Sequence, residues 1–101
     1  MLPNYEVEFE AKAYDDLKEI ADYLAEYSLK ALQKFQDHLE SHLKLLRRMP
    51  KIGSVPRDNL LRKKGYCFLL LENYLLFYVI ENNKIIVRRI IHQKRDYFRI
   101  L

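Results

Sequence analysis

The hydrophobic residues of this chain change period twice, and no all-helical or all-strand fold accommodates both periods. Near the N-terminus Tyr5, Val7 and Phe9 alternate with Glu6, Glu8 and Glu10. A period of two predicts a half-buried strand with an acidic outer face. From Tyr14 the period becomes helical: Tyr14, Leu17, Ile20, Ala21, Leu24 and Tyr27 form one stripe, with Asp15, Asp16, Glu19, Asp22 and Glu26 over the rest. Asp15 and Asp16 suit the positive end of the helix dipole. A second helix is predicted over residues 29–48, where Leu32, Phe35, Leu39, Leu43 and Leu46 recur at three and four. Arg47 and Arg48 suit its C-terminal end, and Pro50 stops it. Only Glu26 to Leu29 separates the helices, with Ser28 as the natural cap, so they pack as an antiparallel hairpin.

Residues 50–65 contain two of the three prolines and both glycines, with Lys51, Arg57, Arg62, Lys63 and Lys64. They read as a basic connecting loop. Period two then returns in three pieces: Tyr66 to Leu71, Tyr74 to Ile80 and Lys84 to Ile91. They are separated by Glu72-Asn73 and Glu81-Asn82-Asn83, Asn-bearing links that tolerate the positive φ of tight hairpins. A short helical turn from Arg95 to Leu101 closes the chain on Tyr97, Phe98, Ile100 and Leu101. The expected fold class is α+β: a strand, a helical hairpin, a three-stranded antiparallel meander joined with the first strand in one sheet, and the terminal turn. At 101 residues, half of them hydrophobic, the chain makes one domain over residues 1–101. The middle strands, CFLLL and YLLFYVI, are apolar on both sides. The helices cover one sheet face, and part of the other is expected to curl or to be covered by a partner.

Charge divides the chain. Residues 1–45 hold five Lys and ten Asp or Glu, whereas residues 46–101 hold thirteen Lys or Arg and four Asp or Glu. Such polarity suits nucleic acid, an anionic protein surface or anionic lipid, or forms a plain solvated surface. Its densest part is RRIIHQKRD, with Arg88, Arg89, His92, Lys94, Arg95 and Asp96 inside nine residues. Cys67, the single cysteine, forms no intrachain disulfide and reads as a small buried hydrophobe in a reducing compartment. MLPNYEVEFE lacks the pattern of a secretory leader, and no apolar stretch of about eighteen residues is present to span a bilayer, so the expected location is cytoplasmic and no membrane partner is expected.

Metal and nucleotide chemistry find little support. His38 and His42 stand at i and i+4, but as HLESH rather than HExxH and with no third ligand; they read as flanking the Phe35, Leu39, Leu43, Leu46 stripe. Gly53 and Gly65 are the only glycines and neither begins a phosphate loop. No metal or other cofactor is expected. Metal-free RNA cleavage needs a base for the 2′-hydroxyl, cations for the phosphate and an acid for the leaving 5′-oxygen. His92 supplies the base or the acid, Arg88 or Arg89 with Arg95 and Lys64 the cations, and Tyr97 or Tyr66 a surface for a base to stack on. By strand alternation Arg88 shares a face with Ile86, Ile90 and His92, and Arg89 with Ile85, Val87 and Ile91. The same cluster equally suits binding an anionic partner without reaction.

In YEVEF, AYDDLKEIADYL, LLRRMPKIG and above all GYCFLLLENYLLFYVIENNKIIVRRIIHQKRDYFRIL, the chain resembles RelE/ParE-type toxins of type II toxin-antitoxin pairs over essentially its whole length. The Tyr-rich strand followed by Arg, two aliphatics, His and a basic tripeptide ending in Asp is similar to the ParE-leaning, plasmid-stabilization members. The resemblance implies a growth-inhibiting toxin, neutralised by a cognate antitoxin that wraps its surface in a toxin-antitoxin hetero-oligomer. RelE-like members cut messenger RNA on the ribosome, and ParE-like members inhibit DNA gyrase. Aligning the meander puts the two second-strand lysines of RelE at Cys67 and Leu69 and its third-strand arginine at Leu75. Only its C-terminal arginine has a counterpart, Arg95, while Tyr97 lies near its terminal tyrosine without matching it. A YoeB-like arrangement would use His92 with Arg62, Lys63 or Lys64. The reading is therefore a toxin acting by binding gyrase, through a surface of Arg62, Lys63, Lys64, Arg88, Arg89, Lys94 and Tyr97. The alternatives are a ribosome-dependent endoribonuclease with His92 and Arg95 as catalytic residues, and a non-toxic remnant that joins its antitoxin in operator binding.

Overall fold

A computed structural model describes residues 4–101, with Phe98 described by its backbone alone. The leader reading of MLPNYEVEFE begins on Met1 to Pro3, outside the described residues. The order is β1 (Glu6–Phe9), α1 (Ala11–Tyr27), α2 (Leu29–Arg48), α3 (Asn59–Lys63), β2 (Cys67–Leu71), β3 (Tyr74–Glu81), β4 (Lys84–His92) and α4 (Tyr97–Ile100). One four-stranded sheet has the order β1-β4-β3-β2. The meander is antiparallel, and β1 pairs parallel with β4, from Glu6 opposite Lys84 to Phe9 opposite Val87. The first and last strands are thus neighbours. No helix among the described residues is long and apolar enough to cross a membrane.

The α1–α2 hairpin covers one face of the sheet. Ala13, Ile20, Phe35, Leu46, Leu71, Leu76, Tyr78, Ile85, Val87 and Ile90 are buried in this layer. Each large side chain here is worth about 1.5–3 kcal/mol of transfer free energy. Ser28 caps α2, its hydroxyl accepting from the Ala31 N–H at 3.2 Å. Helix α1 starts three residues earlier than its periodicity predicts, because the Glu10 N–H continues the sheet by bonding the Val87 carbonyl at 3.0 Å and the chain turns at once into the helix. The buried stripe consequently runs through Ala13, Leu17, Ile20 and Leu24, leaving Tyr14 61% and Tyr27 76% exposed. Asp15 and Asp16 fall outside the first turn.

The second face carries its own core of Leu61, Tyr66, Phe77, Val79 and Ile91, with Tyr97, Ile100 and Leu101 packed against it. Residues from the expected loop and the C-terminal turn thus cover much of the face expected to curl or to be covered by a partner. The loop contains α3, whose cap is Asp58: its carboxylate accepts from the Leu61 N–H at 3.0 Å. Tyr78 anchors the rest of the loop from beneath, its hydroxyl donating to the Pro50 carbonyl at 2.8 Å and accepting from the Gly53 N–H at 3.1 Å. Gly53 is required there, since a Cβ would collide with the Tyr78 hydroxyl and lie 2.9 Å from the Phe68 carbonyl oxygen. In the hairpins Asn82 and Asn83 take positive φ as expected, but in the first it is Glu72, at +56°, rather than Asn73.

Candidate functional site

The basic strand β4 does not alternate regularly. Phe77 lies opposite Arg89 and Tyr78 opposite Val87, which leaves Arg88 as the extra residue of a β-bulge. Before the bulge Ile85 and Val87 face the helices; after it Ile90 does, with His92 opposite Tyr74, while Ile91 turns to the second core. The face assignment by simple alternation is corrected accordingly: His92 shares its face with Val87 and Ile90, and neither arginine lines up with it.

Both arginines are engaged. Arg88 bonds Glu10 at 2.7 Å and approaches Glu81 at 3.5 Å. Arg89 makes a two-pronged pair with Asp16, 2.8 Å from Nε and 2.9 Å from Nη2, with side-chain exposures of 19% and 11%. Asp16 also accepts from the Ile90 N–H at 2.9 Å, on the stretch of β4 that extends past the end of β1. One carboxylate therefore satisfies a strand edge and neutralises an arginine. Donation of its hydrogen bonds to Asp16 raises the Arg89 pKa still further, against the opposing effect of burial. These two cations hold the chain's ends together.

His92 and Arg95 line a cleft of about 670 Å³ between the hairpin and the end of the sheet. Ile20, Leu24, Phe35 and Ile90 supply apolar walls, and Tyr23, Tyr27, Tyr74 and Lys34 also line it. The His92 ring meets Tyr74 edge-on at 5.4 Å, and its Nδ1 accepts from the Lys94 N–H at 3.2 Å. This bond assigns the proton of the neutral ring to Nε2. Burial, and after it the nearness of Tyr23, raises the Tyr74 pKa, keeping that phenol a donor. Among the described residues no ion pair engages Arg95, Lys94 or Lys34.

The other predicted residues lie apart from this cleft. Leu61 seats α3 on the second core, so Arg62, Lys63 and Lys64 belong to the opposite layer from His92. The Arg62 Nε reaches the Pro56 carbonyl at 3.4 Å. Tyr66 is buried edge-on to Phe77, and Tyr97 packs on Phe77 at 5.2 Å, so neither ring is an open stacking platform in this arrangement. His38 pairs with Glu72, and the His42 Nδ1 lies 2.6 Å from its own helix's carbonyl at His38. Burial raises the Cys67 pKa, with hydrogen bonding to Tyr78 opposing it, which suits an inert thiol. Sequence reasoning missed Tyr23, Lys34 and Tyr74 as cleft residues. Tyr23 and Tyr27, one turn apart beside the buried stripe, carried a usable signal; Lys34 carried none.

Residues 7–97 match the family profile described as the ParE toxin of the type II toxin-antitoxin system, parDE. Among solved structures, the chromosomal ParDE toxin-antitoxin system from P. aeruginosa matches with a TM-score of 0.64 at 22% identity, covering 87% of this chain and 95% of that one. The RelBE2 toxin-antitoxin complex from Mycobacterium tuberculosis matches with a TM-score of 0.63 at 23% identity, covering 90% and 99%. At these identities the structural likeness establishes the shared fold. No curated protein matches the sequence.

Proposed function

The chain belongs to the ParE toxin family of type II toxin-antitoxin systems, and on that premise we propose that it inhibits growth by binding DNA gyrase, performing no chemistry of its own. A cognate antitoxin is its partner, by analogy with the toxin-antitoxin complexes that share its fold. The observation that carries the binding reading is the fate of the positions and cations a nuclease would need. Cys67 and Leu69 pack against the helix-side core and Leu75 against the second one. Arg88 and Arg89 are committed to carboxylates. Loss of a single transition-state donor typically costs about 3–4 kcal/mol, so a site lacking several such groups is poorly equipped to cleave RNA.

The test is to add purified toxin to gyrase acting on relaxed plasmid, and separately to a translating extract. Supercoiling should stop, or cleaved DNA accumulate, while messenger RNA stays intact. Unimpaired supercoiling overturns the gyrase reading. One observation favours the endoribonuclease instead: His92 and Arg95 line the same cleft. On that reading messenger RNA is cut during translation and His92→Ala abolishes the cutting.

A further inference from the structure

The end of the molecule remote from the cleft holds a basic segment with no acid in it. Residues 41–57 contain Lys44, Arg47, Arg48, Lys51 and Arg57 and neither Asp nor Glu. Lys44 pairs with Glu40, while among the described residues no ion pair engages the other four. The dipole of α2 accounts for Arg47 and Arg48 in its last turn, but not for Lys51 beyond its cap. The Tyr5 N–H bonds the Arg47 carbonyl at 2.9 Å, which fixes this corner at the start of β1, whereas His92 stands at the far end of β4. Tyr5, Met49, Pro50, Lys51 and Ile52 line a hollow of about 400 Å³ there. No carboxylate lines it, and Glu6, next in sequence to Tyr5, lies opposite Lys84 on β4. Met49 and Ile52 are 52% and 39% exposed, so apolar surface and free cations share one corner. An occupant that satisfies both is acidic and brings an apolar side chain.

We propose that this corner is the toxin's docking surface for its target protein, which meets Arg48 and Lys51 with carboxylates and seats an apolar side chain against Met49 and Ile52. The proposal rests on the reading that the chain acts by binding a protein, and it adds where that contact is made. Two features favour a protein over a nucleic acid. Phosphates gain nothing by covering Met49 and Ile52, so a docked duplex leaves the hollow in water. Met and Arg are also side chains enriched in protein interfaces, and here Met49 directly follows Arg48.

The experiment compares two corner variants, Arg48→Glu with Lys51→Glu, and Met49→Ser, against a control, Lys12→Glu with Lys18→Glu, that makes the same change of net charge at exposed positions of α1. Full-length toxins are assayed for growth arrest on induction, for inhibition of gyrase supercoiling and, by calorimetry, for binding the antitoxin encoded beside them. Both corner variants should lose growth arrest and need at least about tenfold more toxin to halve supercoiling, with their antitoxin affinity, and every property of the α1 control, within about twofold of wild type. Circular dichroism checks that each variant folds, and Arg48→Gln with Lys51→Gln stands in if the reversal does not. Undiminished arrest in both corner variants overturns the proposal, as does loss of antitoxin binding by folded variants. So does loss of binding to a short DNA duplex by the charge variant while Met49→Ser behaves as wild type. Corner-dependent arrest with supercoiling untouched by the wild-type toxin sinks gyrase as the target but leaves the corner standing. Supercoiling stopped equally by wild type and both variants does the reverse, and a wild-type toxin that neither arrests growth nor stops supercoiling overturns both.

Discussion

At the scale of single residues, Tyr78 links the core to the loop. It is fully buried, and its one hydroxyl serves two backbone groups of the loop. Burial first, then the neighbouring Cys67, raises its pKa from 10.0 to about 12. The neutral phenol is thus the native form. Below about pH 10 both folded and unfolded chains keep the proton and the stabilisation is complete; between about 10 and 12 only the unfolded chain releases it, so stability falls. The full loss is about 3 kcal/mol, two pKa units at 1.36 kcal/mol each. Tyr78→Phe should lower stability at neutral pH by about 1–3 kcal/mol, because two backbone groups lose their partner. It should also lose much of the alkaline sensitivity, as urea unfolding at pH 8 and 11 can measure. The sequence offers YLLFYVI without saying which tyrosine reaches out of the core. That choice depends on the loop folding back over β2, a contact between residues twenty-five and twenty-eight positions apart.

At the scale of elements, the hydrophobic period made most of the architecture legible, because strands and helices this amphipathic have little choice of partner layer. The hairpin, the meander and the helical stop before Pro50 all follow from spacing and turn residues. Three features did not. Helix α3 has only five residues, too few to show a period, and its warrant is the Asp58 cap and one buried leucine. The bulge at Arg88 is silent in the sequence, since the two-period runs through RRII without any break that names the extra residue. The tyrosines of α1 mislead by looking like core, when the earlier helix start gives Ala13 that place. The bulge matters most, for it directs His92 into the cleft and sets Arg89 against Asp16. Asp16→Asn keeps the size but removes the charge opposite a largely buried guanidinium; it should cost about 2 kcal/mol, less than a fully buried pair because some solvent reaches both groups. Chemical denaturation should show a lower midpoint with an unchanged slope. A loss below about 0.5 kcal/mol would make the pair ornamental.

At the scale of the whole molecule, the opposed charges of the two halves acquire a second meaning. Lys84, Arg88 and Arg89 on β4 meet Glu8, Glu10 and Asp16 from the N-terminal segment. Part of the apparent basic patch is therefore an internal seam between early and late sequence. The cations left for a partner are a smaller set, divided between the cleft and the α3 side. The seam accompanies the parallel pairing of β1 with β4, which leaves the sheet incomplete until both ends of the chain are present. A chain ending at Asn83 should show no cooperative thermal transition by circular dichroism, since it lacks the strand that joins β1 to β3; a sharp transition would refute this. The same arrangement sets the order of events during synthesis. Strand β4 is synthesised after both of the strands it joins, so a nascent chain that stops short of it has no finished sheet, and the surfaces built on β4 come into being only once that strand has emerged.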